Sequence, residues 1–135
     1  MEIMFEAMKF DLTENTHKPG LFGENIVKWF VAQLSILGYS PRLYRKDWGW
    51  QLVIEKNGVR LFVGITNIWK DMRHIEDSML AWKCFTGYSL SNRGKLMSVL
   101  GKLNVDDEIL KLNWAVKQLL SSEDGIKIIS IKEEV

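Results

Sequence analysis

The chain has 135 residues, a length that fits one domain, and its 47% hydrophobic and 26% charged residues are ordinary for a globular protein. Eighteen basic residues against 17 acidic ones give a net charge of +1, which provides no bulk attraction to nucleic acid or to an anionic membrane. A single cysteine excludes an internal disulfide and a cysteine-based metal cluster.

The N-terminal residues 1–6 lack the basic start and apolar run of a signal peptide. No apolar stretch approaches the roughly 20 residues that are needed to span a bilayer. We therefore expect a cytoplasmic protein with no membrane partner.

The first third of the chain predicts a strand followed by a helix. Residues 2–10 are rich in apolar and aromatic side chains and predict a strand, and the polar segment 11–20 ends in Pro-Gly and predicts a loop. Residues 22–37 repeat apolar side chains at the spacing of an amphipathic helix. Gly38 follows at the position of a left-handed C-terminal cap.

The centre of the chain predicts a β-hairpin, preceded by a short strand or lead-in over 42–45. The runs 47–56 and 59–67 are rich in β-forming residues, and they flank Asn57-Gly58, a strong signal for a two-residue turn. That turn fixes the register, so that Glu55 lies opposite Arg60. Because side chains alternate between faces, one face then carries only apolar residues and is the predicted core side: Trp48, Trp50, Leu52, Ile54, Leu61, Val63 and Ile65.

The second half predicts one further strand, a helix and a last strand. Residues 68–78 are charged, without clean periodicity, and predict a loop. A strand is predicted over 79–88, and 89–103 fits either a short helix or irregular structure. Residues 104–121 predict a helix with an Asn N-cap and an acidic first turn, and 126–131 predict the final strand.

This order of elements predicts a single α+β domain over residues 1–135. Two helices are too few to cover both faces of such a sheet. We expect a two-layer sandwich, in which a mainly antiparallel sheet of five to six strands carries two long helices on one face. The apolar hairpin face meets the helices, and the opposite face is partly open.

Three segments resemble a group of small uncharacterised bacterial proteins with a PGLFGE…DWGW…VGxxN pattern. They are Pro-Gly-Leu-Phe-Gly-Glu at 19–24, Asp-Trp-Gly-Trp at 47–50, and Val-Gly-Ile-Thr-Asn at 63–67. The chain departs from that pattern at Lys46, where a second acidic residue is common. The resemblance implies a bacterial or phage source and transfers no function.

The Trp48-Gly49-Trp50 motif has two interpretations. The first is a pair of core tryptophans on one strand face, and the second is an aromatic recognition surface at the end of the sheet. Gly49 and Gly64 share the opposite face, and glycine in a strand often marks the close approach of a ligand or another backbone. This bare patch, edged by Phe62, is a candidate docking site unless the 69–78 loop folds over it.

The residue pattern contains no recognisable catalytic constellation. The acidic and histidine residues within 71–77 match no zinc signature, and the glycines form no phosphate-binding loop. Cys84 lies in an apolar strand and is interpreted as a small buried residue. We expect no enzymatic activity, no cofactor and no metal.

The preferred hypothesis is a non-enzymatic module that binds another protein. Its sharpest form is a bacterial immunity protein or an anti-defence inhibitor that blocks a toxin, a nuclease or a defence effector. The predicted partner-binding residues are Phe62, Trp69, Asp71, Arg73, His74, Glu76 and Asp77. The alternative is a ligand-binding or enzymatic domain with a pocket lined by Trp29, Trp48 and Trp50, and no nucleic acid partner is expected.

Overall fold

The computed structural model describes residues 1–7, 24–56, 58–68, 80–90 and 105–133, and this part of the chain contains six strands and two helices. In chain order they are β1 (Glu2–Ala7), α1 (Glu24–Ile36), β2 (Arg42–Lys46), β3 (Gly49–Lys56), β4 (Val59–Ile68), β5 (Leu80–Leu90), α2 (Val105–Ser122) and β6 (Ile126–Lys132). All strands join one antiparallel sheet in the order β2-β3-β4-β5-β1-β6. The predicted α+β fold is confirmed.

The predicted hairpin register is confirmed from Trp50 to Lys56. Lys56 pairs with Val59, Ile54 with Leu61 and Trp50 with Ile65. The guanidinium of Arg60 donates two hydrogen bonds to Glu55 Oε1, from Nη2 at 2.8 Å and from Nε at 3.0 Å. The short turn fixes this cross-strand ion pair, which lies in solvent.

The helix α1 ends in the cap that its sequence predicts. Gly38 has φ of +93°, a conformation that costs glycine little. Its N–H donates to Ser35 O at 3.0 Å, and the N–H of Tyr39 donates to Leu34 O at 3.0 Å. These two bonds form a Schellman motif, which satisfies the last carbonyls of the helix and turns the chain towards β2.

The core forms on the hairpin face that was predicted to be apolar. From Trp50 to Ile65, the alternate residues of β3 and β4 are buried, and both helices contribute to the same cluster. Its largest fully buried side chains are Trp82, Phe5, Phe30, Ile3, Ile26, Leu34, Leu52, Leu61, Ile65, Leu112, Leu120 and Val27. The arrangement of both helices on one face of the sheet stays a prediction.

The remaining differences concern element ends. The strand β5 reaches Leu90, two residues beyond its predicted end, and β2 extends to Lys46. The predictions for residues 8–23, 69–79 and 91–104 lie outside the described residues, apart from the strand and helix ends that border them.

Candidate functional site

The face of the sheet opposite the core carries a group of aromatic side chains around its centre. Alternation places Val53, Phe62 and Phe85 on this face, and Phe85 lies opposite Gly64 in the β4–β5 pairing. We call this side the outer face. The outer-face patch is the group formed by Trp48, Phe62, Gly64 and Phe85.

Trp48 lies on the outer face, and its predicted place in the core is wrong. Its ring centroid lies 5.3 Å from that of Phe85 and its side chain is 42% exposed, whereas Trp50 is only 6% exposed. The reason is that β3 begins at Gly49, which pairs with Lys46 across a two-residue turn of Asp47 and Trp48. Strand alternation does not apply to a residue in a turn, so the side chain of Trp48 can lie on the same face as Phe85.

Two glycine–phenylalanine pairs form the floor of the patch. Gly64 lies opposite Phe85, and Phe62 lies opposite Gly87. A Cβ atom at Gly64 would clash with the far end of the Phe85 ring, whereas one at Gly87 would lie 3.9 Å from Phe62 Cδ2. The predicted bare surface at Gly64 is therefore filled by the far end of the Phe85 ring.

Backbone contacts hold the turn that presents Trp48. Thr66 Oγ1 donates a hydrogen bond of 2.6 Å to the carbonyl oxygen of Trp48. Gly49 has φ of +155°, and a Cβ atom there would collide with the carbonyl oxygen of Ile65. Gly49 thus marks the close backbone approach that a glycine in a strand indicates. These contacts fix the backbone of the turn at Trp48.

Opposite charges flank the patch on the outer face. The Glu55–Arg60 pair lies at the hairpin end, and Lys83 Nζ lies 3.9 Å from Glu2 Oε1 on the neighbouring strands. An apolar centre between exposed charges of both signs suits an apolar side chain of a partner surface with polar groups around it.

A second candidate surface lies between the end of α1 and the middle of α2. It is a hollow of about 410 Å³, lined by Leu37, Tyr39, Leu110, Lys111, Trp114 and Ala115. Lys56 Nζ lies 5.2 Å from the centroid of the Tyr39 ring and 3.6 Å from Glu108 Oε2. Burial raises the pKa of the Tyr39 phenol, the charge of Glu108 raises it further, and Lys111 opposes both effects.

Of the predicted partner-binding residues, Phe62 lies within the described structure, where it is a partly buried member of the outer-face patch. Trp69, Asp71, Arg73, His74, Glu76 and Asp77 lie outside the described residues. The predicted pocket between Trp29, Trp48 and Trp50 does not form, because Trp48 is on the opposite face of the sheet from Trp50.

Cys84 is fully buried, as predicted, and burial raises the pKa of its thiol to about 12. Among the described residues, no three His, Cys, Asp or Glu side chains come together as a group that could hold a metal ion. Within the same residues, no helix combines the length and the apolar character that crossing a membrane requires.

Sequence reasoning missed Phe85, Leu110 and Trp114. The sequence around Phe85 does not indicate a surface role, because its position over Gly64 depends on the pairing of β4 with β5. Leu110 and Trp114 do give a signal: they lie four residues apart on the polar side of α2, where an amphipathic helix carries polar residues.

The chain was compared with known proteins. No protein-family model, no curated protein and no solved structure matches it. The function therefore has to be argued from the geometry of this chain.

Proposed function

We propose that the chain is a non-enzymatic domain that binds another protein through the outer-face patch. The observation that carries the proposal is the half-exposed Trp48 ring, which is packed against Phe85 and held by the hydrogen bond from Thr66 to its backbone. Tryptophan is enriched among the residues that dominate binding energy at protein interfaces. A ring that is already ordered loses little side-chain entropy on binding.

The charge of the chain supports a protein as the partner. A net charge of +1 gives no field that would concentrate a polyanion. The Glu55–Arg60 and Glu2–Lys83 pairs supply both signs of charge beside the patch, as at the polar rim of a protein interface.

In its sharpest form, the proposal is that the domain is a bacterial immunity protein or an anti-defence inhibitor. It would cover the working surface of a toxin, a nuclease or a defence effector, and the block would be steric. Such a role requires no catalytic group of its own, only a stable patch that matches one partner.

A pull-down with matched variants tests the proposal. The tagged chain, Trp48→Ala and Phe62→Ala are each incubated with lysate of the organism that encodes the chain, and bound proteins are identified by mass spectrometry. Tyr88→Ala is the control, because Tyr88 is an aromatic residue with 49% exposure that alternation places on the other face of the sheet.

We expect one stoichiometric partner that the wild type and Tyr88→Ala retain and that Trp48→Ala weakens by at least about tenfold in Kd. The purified partner should lose its activity when the chain is added, and Trp48→Ala should restore that activity. A partner that is retained equally by all variants would refute the patch, and a partner whose activity is unchanged would refute the inhibitor role.

A further inference from the structure

The outward side of α2 carries large apolar side chains that the fold does not use. Leu110 is 64% exposed and Trp114 is 61% exposed. The buried residues of the helix, among them Leu112, Val116 and Leu119, lie on its other side. With 3.6 residues per turn, a polar surface is expected where Leu110 and Trp114 lie.

The two apolar residues belong to a longer row with a charge at each end. Asp107, Leu110, Trp114 and Lys117 follow one another at intervals of three, four and three residues, which places them in a single row along the helix. We call this row the α2 stripe. It is acidic towards its N-terminal end, apolar in the middle and basic towards its C-terminal end.

Such a row is complementary to itself when the second copy is reversed. Consider an antiparallel pair of α2 helices whose two-fold axis crosses the stripe midway between Leu110 and Trp114. In this pair, Leu110 faces Trp114 of the other copy. In the same pairing, Asp107 faces Lys117 of the other copy. The two-fold symmetry repeats each contact. Two contacts between Leu110 and Trp114 therefore lie between two ion pairs of Asp107 with Lys117.

We infer that the α2 stripe is the contact surface of a symmetric dimer in which the α2 helices of two copies of this chain pack antiparallel. The hollow described above supports this pairing, because Leu110 and Trp114 of the stripe line it together with Leu37. The Trp114 indole of the second copy enters that hollow. The dimer uses a surface separate from the outer-face patch, so it does not depend on the proposed function.

Both charged residues of the stripe also have partners within their own chain. Lys111 Nζ lies 2.9 Å from Asp107 Oδ2, and Lys117 contacts Glu133. These pairs are partly or largely exposed, and such pairs contribute little to stability. A carboxylate accepts several donors, so the contacts to the second copy add to these pairs. The apolar residues supply the affinity, and the charges select the antiparallel direction.

Sedimentation velocity over a dilution series tests the dimer. We expect a reversible dimer for the wild type, and Trp114→Ala should raise its Kd by at least about 30-fold. Tyr44→Ala is the control, because it removes an exposed aromatic ring from β2 and should leave the Kd unchanged. A wild type that stays monomeric at its highest soluble concentration overturns the inference. The inference is also overturned if Ile129→Lys, on the edge strand β6, disrupts the dimer and Trp114→Ala leaves it intact.

A charge exchange tests the antiparallel direction. Asp107→Lys gives a stripe with lysine at both ends, and Lys117→Asp gives one with aspartate at both ends. Each variant alone should dimerise about three- to tenfold more weakly at low salt, whereas their equimolar mixture should form the heterodimer preferentially. The double variant Asp107→Lys/Lys117→Asp should regain most of the wild-type affinity.

Thermal unfolding of each variant shows whether it keeps the fold, and every variant that still unfolds cooperatively is compared. A mixture that shows no preference for the heterodimer overturns the antiparallel pairing. A double variant that dimerises more weakly than both single variants also overturns the antiparallel pairing.

Discussion

Gly64→Ala adds one methyl group under the Phe85 ring and so tests the packing of the outer-face patch. The new Cβ atom would lie 2.6 Å from Phe85 Cε1 and still closer to two other ring carbons, so the ring has to swing away. The displaced ring loses its contact with Trp48, which lies at 5.3 Å between centroids. Overpacking costs about 1–3 kcal/mol, and the lower backbone entropy of alanine offsets about 0.5–1 kcal/mol. We expect the free energy of unfolding to fall by about 1–2 kcal/mol.

The measurement is urea denaturation followed by tryptophan fluorescence, with Gly87→Ala as the matched control. A Cβ atom at Gly87 has Phe62 Cδ2 at 3.9 Å as its nearest neighbour, so this variant should be as stable as the wild type or slightly more stable. Introducing Gly64→Ala into a Phe85→Ala background should cost almost nothing, because the clashing ring is gone. This account of the packing would be refuted if the two glycine substitutions changed the free energy of unfolding equally. It would also be refuted if Gly64→Ala remained destabilising in the Phe85→Ala background.

Three further results are expected. A double-mutant cycle on Glu55→Ala and Arg60→Ala should give a coupling of about 0.2–1 kcal/mol that shrinks in high salt, and no coupling at low salt would exclude a role for the pair in the hairpin. The folded protein should leave Cys84 unlabelled by a thiol reagent. Because the folded state keeps the thiol proton up to a pKa of about 12, stability should fall as the pH rises from about 8.5 towards 12, and the pH profile of Cys84→Ala should fall less steeply there. Trp48→Ala should lower the free energy of unfolding by about 0.5–1.5 kcal/mol, because the ring contact with Phe85 is lost. Trp114→Ala should change the free energy of unfolding of the monomer by less than about 0.5 kcal/mol. Equal losses in urea denaturation would contradict the difference in their contacts.

The hairpin was predictable residue by residue because all its determinants are local. The Asn57-Gly58 turn fixes one pair, and each later pair follows from it by counting. The same counting was wrong at Trp48, where it ran past the end of β3. The second two-residue turn, which joins Lys46 to Gly49, interrupts the alternation, and only the pairing of β2 with β3 reveals it.

The outer-face patch could not be predicted from the sequence, because it depends on the pairing of β4 with β5. The connection from Ile68, where β4 ends, to Leu80, where β5 begins, is too long for its length alone to fix a register by counting. Gly64 is unusual within its strand, but the sequence does not say which side chain occupies the space above it. The observed pairing supplies the Phe85 ring from a strand that follows more than ten residues later.

Trp48 and Trp114 are both exposed, but their exposure has different weight as evidence for binding. Trp48 contacts Phe85 and lies next to a hydrogen-bonded turn, so packing alone explains part of its presence. Trp114 and Leu110 project from the side of α2 opposite its buried residues, where polar side chains would serve the fold equally well. Neighbouring exposed apolar residues that the core does not use indicate an interaction surface more strongly than a single exposed residue does. For this reason the α2 stripe is the stronger evidence for an intermolecular contact, and the outer-face patch combines a structural role with the proposed binding role.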